Sequence, residues 1–307
     1  IVGRQFLVVL VVFAINLAGS TDNGTTVLGL PTSVTDAVLG SGLGVILITI
    51  MLGQLTSQVS AASCMLDFIN NHFMLLTTYI SLGIEMSGVL HAVYLVQYFF
   101  SAVTGIGIDS DEPPRSQTAS LFYWFRVFAS SALLVFAFVV TVSALFQGKT
   151  TMWGGVPPAV SIVLLIFLMC FVGMMEGLQI AVFAVLNIPG AEMENHKRAA
   201  QTCQLILEGK NLQSFLIGRQ MCVTISMFLV AHITSCEVES DEDTILGVSR
   251  SVQLVFNTGI LGAIITTIVA SLAWRIMASS FPIAFLSNPL IIYCIHLCLY
   301  MEALGVC

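Results

Sequence analysis

Two Gly-Arg-Gln triplets, Gly3-Arg4-Gln5 and Gly218-Arg219-Gln220, each open a hydrophobic run, and Glu176-Gly177-Leu178-Gln179 precedes the second triplet with 38 residues between. An arginine beside a primary amide is expensive in lipid, so two such pairs in one setting point to function. Glu176 and Gln179 are three apart and share one helix face. Gly177 and Gly218 leave room for a neighbouring backbone. If the two helices meet, Glu176 neutralises Arg219, and Gln179 and Gln220 are left to bind a solute. A side-chain amide carries both donors and an acceptor, which suits an uncharged, polyhydroxylated solute. The competing reading is a structural clamp, with Glu176 and Arg219 pinning two helices and the glutamines satisfying backbone groups.

Further residues could carry chemistry. Glu85 and Glu302 lie inside apolar runs, where acids often mark ion routes, so they are candidates for ion coupling. Cys64 and Asp67 supply a thiol and a carboxylate, which is half of a tetrahedral metal site, with His72 the nearest extra ligand. His91, His232 and His296 read as helix-packing groups. No span carries His-Glu-x-x-His or Gly-x-Ser-x-Gly, so an enzyme is not expected, and no motif for an organic cofactor stands out.

The elements that must position these residues are transmembrane helices. The 307 residues are 57% hydrophobic and 9% charged. Apolar runs of about 20 residues are long enough to cross a bilayer. Eight such runs occur, near 1–18, 38–55, 73–102, 122–146, 158–187, 213–234, 252–273 and 284–305. They are continuous, which excludes the short alternating strands of a β-barrel. The net charge of −7 comes mostly from two loops, Asp109–Glu112 and Glu237–Asp243, and no basic stripe suggests nucleic acid. The eight cysteines form no CxxC pair and do not read as a disulfide framework. Neither end looks like a natural terminus, so a longer protein is expected.

The chain also repeats. At a spacing of 217, Gly42 meets Gly259, Thr49 Thr266, Asn71 Asn288 and Glu85 Glu302, while the triplets align at 215. Five spans separate the equivalents, and an odd count inverts the second unit relative to the first, an architecture of secondary transporters. The expected fold is therefore all-α and polytopic, an inverted repeat of five-helix units, with ten spans in the full protein and about eight in this chain. Residues 1–104 are the last three helices of the first unit, 105–121 an acidic, Pro-containing linker, and 122–307 the second unit. Orientation stays open. Lys197, Arg198 and Lys210 argue that their loop is cytoplasmic, whereas the sequon Asn23-Gly24-Thr25, on the same side by parity, argues the reverse.

Glu-Gly-X-Gln followed by Gly-Arg-Gln resembles the motif pair of the diatom silicic acid transporters, and Cys64-Met65-Leu66-Asp67 is similar to a further motif of that family. The resemblance covers essentially the whole chain. It implies sodium-coupled uptake of orthosilicic acid across the plasma membrane, with sodium as the coupling ion. By that resemblance Glu176, Gly177, Gln179, Gly218, Arg219 and Gln220 form the second solute-binding pair, and Gly3, Arg4 and Gln5 the latter half of the first. A facilitative, channel-like pore for small neutral solutes is the alternative. A homo-oligomer is left open.

Overall fold

The structure, a computed structural model, describes residues 2–19, 29, 31–35, 38, 42–105, 116–153, 155–185, 196–238 and 244–305. The sequon Asn23–Thr25, the linker core 106–115, residues 186–195 of the basic loop, and Glu239 with Asp241–Asp243 lie outside the described residues. The described residues are helical apart from turns and one isolated antiparallel bridge between Thr150 and Cys236.

The chain begins with α1, Val2–Gly19. Next, α2 joins Leu43–Ile48, a π-helical segment Thr49–Leu55 and Thr56–Ser63 without a break. After α3, Met65–Ile69, come α4, His72–Ser87, and α5, Val93–Thr104. The long helices α6, Gln117–Phe146, and α7, Pro158–Val185, follow. The amphipathic α8, Lys197–Leu207, leads into α9, Asn211–Thr234. Then come α10, Arg250–Asn257, and α11, which runs Ile260–Ile265, a second π segment Thr266–Leu272, and Ala273–Ser280. The last two are α12, Pro282–Leu286, and α13, Pro289–Ala303. Five helices are long and apolar enough to span a membrane: Leu43–Ala61, Gln117–Phe146, Pro158–Val185, Asn211–Thr234 and Ile260–Ser280. Val2–Ala18, Val93–Val103 and Pro289–Ala303 are shorter and apolar.

Three expected spans take a different form. The run 73–102 breaks after Ser87, where Gly88 adopts φ +81°. The break is affordable in lipid because Ser130 of α6 serves the freed backbone: its hydroxyl donates to the Val89 carbonyl at 2.5 Å and accepts from the Ala92 amide at 2.9 Å. The runs expected to stop at residues 55 and 273 instead continue to Ser63 and Ser280. Their hydroxyls satisfy themselves on the helix backbone, as Ser57 does on Gly53 at 2.8 Å and Ser63 on Val59 at 2.8 Å. Polarity alone therefore does not end these helices, and the extensions carry Gln58 and Arg275.

The sequence repeat is matched in local conformation at the same spacing of 217. Gly42 and Gly259 precede α2 and α11 at φ +76° and +74°. Both helices pass through a seven-residue π segment. Both end at a residue of matching backbone, Cys64 (φ −130°, ψ 52°) and Phe281 (φ −134°, ψ 57°). Asn71 and Asn288 then cap α4 and α13, each accepting at 3.0 Å from the amide two residues on. Packing repeats too. A Cβ on Gly3 would lie 1.9 Å from the Ser81 carbonyl oxygen of α4, and one on Gly218 would lie 1.8 Å from that of Cys298 on α13. Ser81 and Cys298 are themselves 217 apart.

The core is centred on α7, α9 and α11, where Met175, Leu178, Phe215, Phe228 and Ile265 are fully buried. Below them α8 buries Ala199, Thr202, Cys203 and Ile206, with the Thr202 hydroxyl 3.3 Å from the Leu286 carbonyl of α12. Burial pushes the Cys203 thiol up and that of Cys236 up to about 11, so both stay protonated near neutral pH. Only the thiolate attacks a maleimide. A polar maleimide at pH 8 should modify the exposed Cys64 at least about tenfold faster than Cys203 or Cys236. Peptide mass spectrometry measures this, and equal rates would mean that α8 and the Thr150–Cys236 bridge are not seated as described.

Candidate functional site

Glu176 sits in the middle of α7, 4% exposed, facing both α9 and α11. The close approach is made by small residues. A Cβ on Gly177 would lie 2.7 Å from the Phe285 ring, and one on Gly173 would lie 2.3 Å from the Trp274 ring. Arg219, 3% exposed, reaches Glu176 from α9 with Nη1 3.7 Å from Oε2. A second arginine, Arg275 of α11, makes the closer pair: its Nε donates to the same oxygen at 3.0 Å and its Nη2 also contacts it. The expected Glu176–Arg219 pair is therefore one side of a triad with two guanidinium groups and one carboxylate. Arg275 was legible as an arginine near an apolar run, but it fell just past the expected end of that span.

The triad continues into a chain of amides. Arg219 Nη2 donates to Gln220 Oε1 at 2.9 Å, and Gln58 Nε2 of α2 donates to the same oxygen at 3.1 Å. Gln220 Nε2 donates to Gln54 Oε1, and the Thr224 hydroxyl lies against that oxygen and 2.9 Å from the Gln220 carbonyl. Gln220 is thus not free, as the motif spacing suggests, but engaged by α2. Gln54 and Gln58 are four apart and so fall on one face of α2, opposite Gln220 and Thr224, themselves four apart on α9. Sequence reasoning missed this set, although an amide in a membrane run, Gln54, with a second four residues on, Gln58, was the available signal. The cluster bridges the two halves of the chain: Gln54 and Gln58 come from the first, Gln220, Thr224, Arg219, Arg275 and Glu176 from the second.

The remaining predicted residues are placed as follows. Gln179, one turn beyond Glu176, is half-buried and has no hydrogen-bond partner among the described residues. Gln5 is 6% exposed and likewise has none, while Arg4 beside it is exposed. Gly3 and Gly218 are the contact points of their helices. Glu85 and Glu302 occupy the last turns of α4 and α13, half-buried, and are not part of the triad. Cys64 and Asp67 are both exposed around the α2–α3 break, and among the described residues no three His, Cys, Asp or Glu side chains gather to hold a metal ion.

A bundle of apolar helices carrying an arginine–carboxylate–amide cluster, with Glu176 and Arg219 buried, is the composition of a multi-pass membrane carrier. Comparison with known families agrees. Residues 1–307 match the silicon transporter family, and the chain belongs to it. Its substrate class is therefore silicic acid, and it is a transporter, which is not an enzyme class. Neither a curated protein nor a solved structure matches the chain.

Proposed function

We propose that the chain carries silicic acid through the amide cluster between α2 and α9, coupled to sodium, at the plasma membrane. The observation that supports this most is the Gln54–Gln220–Gln58 chain spanning the two halves. Each amide there satisfies another amide, and hydroxyl groups of a solute offer the same donors and acceptors. Exchange of one set for the other costs little net hydrogen bonding. A solute lacking those hydroxyls would leave the amides unpaired and be rejected. Gln179, half-buried and unpartnered among the described residues, adds a further contact. The repeated caps, π segments and glycine contacts fit two units of five helices related by inversion, and such units rock about a shared midplane site. Glu85 and Glu302 are the acids that the repeat pairs, and we assign them to the sodium route. Gly3, Arg4 and Gln5 form the matching element of the other half, and Cys64 with Asp67 a thiol-bearing break between helices.

Sodium-driven silicic acid uptake by cells expressing the transporter tests the reading. Gln54→Ala and Gln220→Ala, at wild-type surface abundance, should each lower initial uptake by about tenfold or more, the scale of one lost, desolvated solute contact. Uptake undiminished in both would remove the amide cluster from the solute path. Uptake independent of a sodium gradient would favour the channel-like pore.

A further inference from the structure

The triad does not balance. One carboxylate, Glu176, faces two guanidinium groups, the buried Arg219 and the partly exposed Arg275 (22%), leaving a net charge of +1. The position equivalent to Arg275, 217 residues earlier, is Gln58, a neutral amide in the same cluster. Arg219 is also underused. It is 3% exposed, yet among the described residues Nε has no hydrogen-bond partner and Nη1 has only the 3.7 Å approach to Glu176. Unpaired guanidinium donors in an apolar interior cost far more than paired ones, so the arrangement is suited to a ligand bearing a negatively charged oxygen.

Resting on the silicic acid reading above, we infer that the triad binds the solute as its singly deprotonated anion, held by the free edge of Arg219 beside Gln220. This departs from the uncharged solute expected from the motifs alone, because Arg275 was not part of that set. The balance is Si(OH)4 to SiO(OH)3− plus one proton. The O–H bond breaks heterolytically, its electron pair stays on the silicate oxygen facing Arg219, and the proton leaves to bulk solvent. A surplus positive charge within hydrogen-bond distance favours the charged form of an acid.

The groups surrounding Arg219 do not cancel the surplus. Besides Glu176 and Arg275, those within electrostatic reach are the thiols of Cys222 on α9 and Cys298 on α13. Cys294 of α13 is buried nearby, while α12 and the π segment of α11 carry no titratable side chain. Tyr94 and Tyr98 belong to α5, which packs on α11. Of the histidines on these helices, His232 is engaged by the Thr151 carbonyl at 3.2 Å and His296 is exposed.

Calorimetric titration of the purified transporter with silicic acid, repeated at pH 7.5 in buffers of different ionisation enthalpy, counts the protons released on binding. The expected count is near one for the wild type, with the apparent Kd for total silicic acid falling about tenfold per pH unit between pH 6.5 and 8.5, as the anion fraction rises. Arg275→Gln, which installs the residue found at the equivalent position, should bring the count near zero and flatten the pH series. Binding with no proton released by the wild type overturns the inference and leaves the carrier reading intact. A variant that still releases one proton overturns the role of Arg275. Absence of any binding heat or uptake in the wild type would count against the carrier reading itself. The wild-type proton count stands alone if the variant does not fold.

Discussion

Glu176→Gln should destabilise the protein by about 3–5 kcal/mol, the cost of leaving the buried Arg219 without its counter-ion. Glu176 is the shared counter-ion of Arg219 and Arg275, and among the described residues its carboxylate contacts run to these two residues from two different helices. Glutamine keeps the shape and one acceptor oxygen but removes the charge, so two guanidinium groups face each other across α7. The loss should appear as a lower midpoint of thermal unfolding and less monodisperse protein after extraction. Adding Arg275→Gln to that variant should recover part of the loss, because it removes one of the two orphaned charges. A single variant as stable as wild type would mean that the triad is hydrated rather than desolvated.

Gly218→Ala is the second large effect. Its Cβ would lie 1.8 Å from the Cys298 carbonyl oxygen, and a helical backbone carbonyl cannot swing aside as a long side chain can. The contact of α9 and α13 would have to open, at about 1–3 kcal/mol or more, and Gly218→Val should be worse. Opening also shifts Arg219 and Gln220, the next two residues, so transport should fall more steeply than stability. Gly83→Ala is the control: it lies in α4 with nothing within 4 Å of the added atom. There alanine should be neutral or slightly stabilising, since it prefers the helix to glycine. Equal melting behaviour of the Gly218 and Gly83 variants would contradict the packing described.

Much of the helical architecture was legible because lipid enforces it. A backbone without water must satisfy itself, so long apolar runs become helices whatever their detailed sequence. The sequence repeat was legible from Gly42, Asn71, Glu85 and their partners, since positive φ, capping and an acid within an apolar helix restrict residue type strongly. The interruption at Gly88 was not, because the group that makes it tolerable, Ser130, lies 42 residues later on another helix. The site was half legible. Glu176, Arg219 and Gln220 were found because they form short motifs. Gln54, Gln58, Thr224 and Arg275 join them only through tertiary packing, and Gln58 and Arg275 lie on helix extensions beyond the expected ends of their membrane runs. The exposed Arg4 beside the buried Gln5 shows the same limit: identical triplets settle differently because their surroundings differ.

The central claim is that silicic acid is held by amides contributed from both halves of the chain. Its most direct measurement is the shift in unfolding that silicic acid causes in the purified protein, compared with Gln54→Ala and Gln220→Ala. A ligand at about 100 times its Kd stabilises the folded state by about 2.7 kcal/mol. The account predicts a shift of that order for the wild type, and little or none for either variant at the same solute concentration. An undiminished shift in both would contradict it, and would place the solute elsewhere in the bundle.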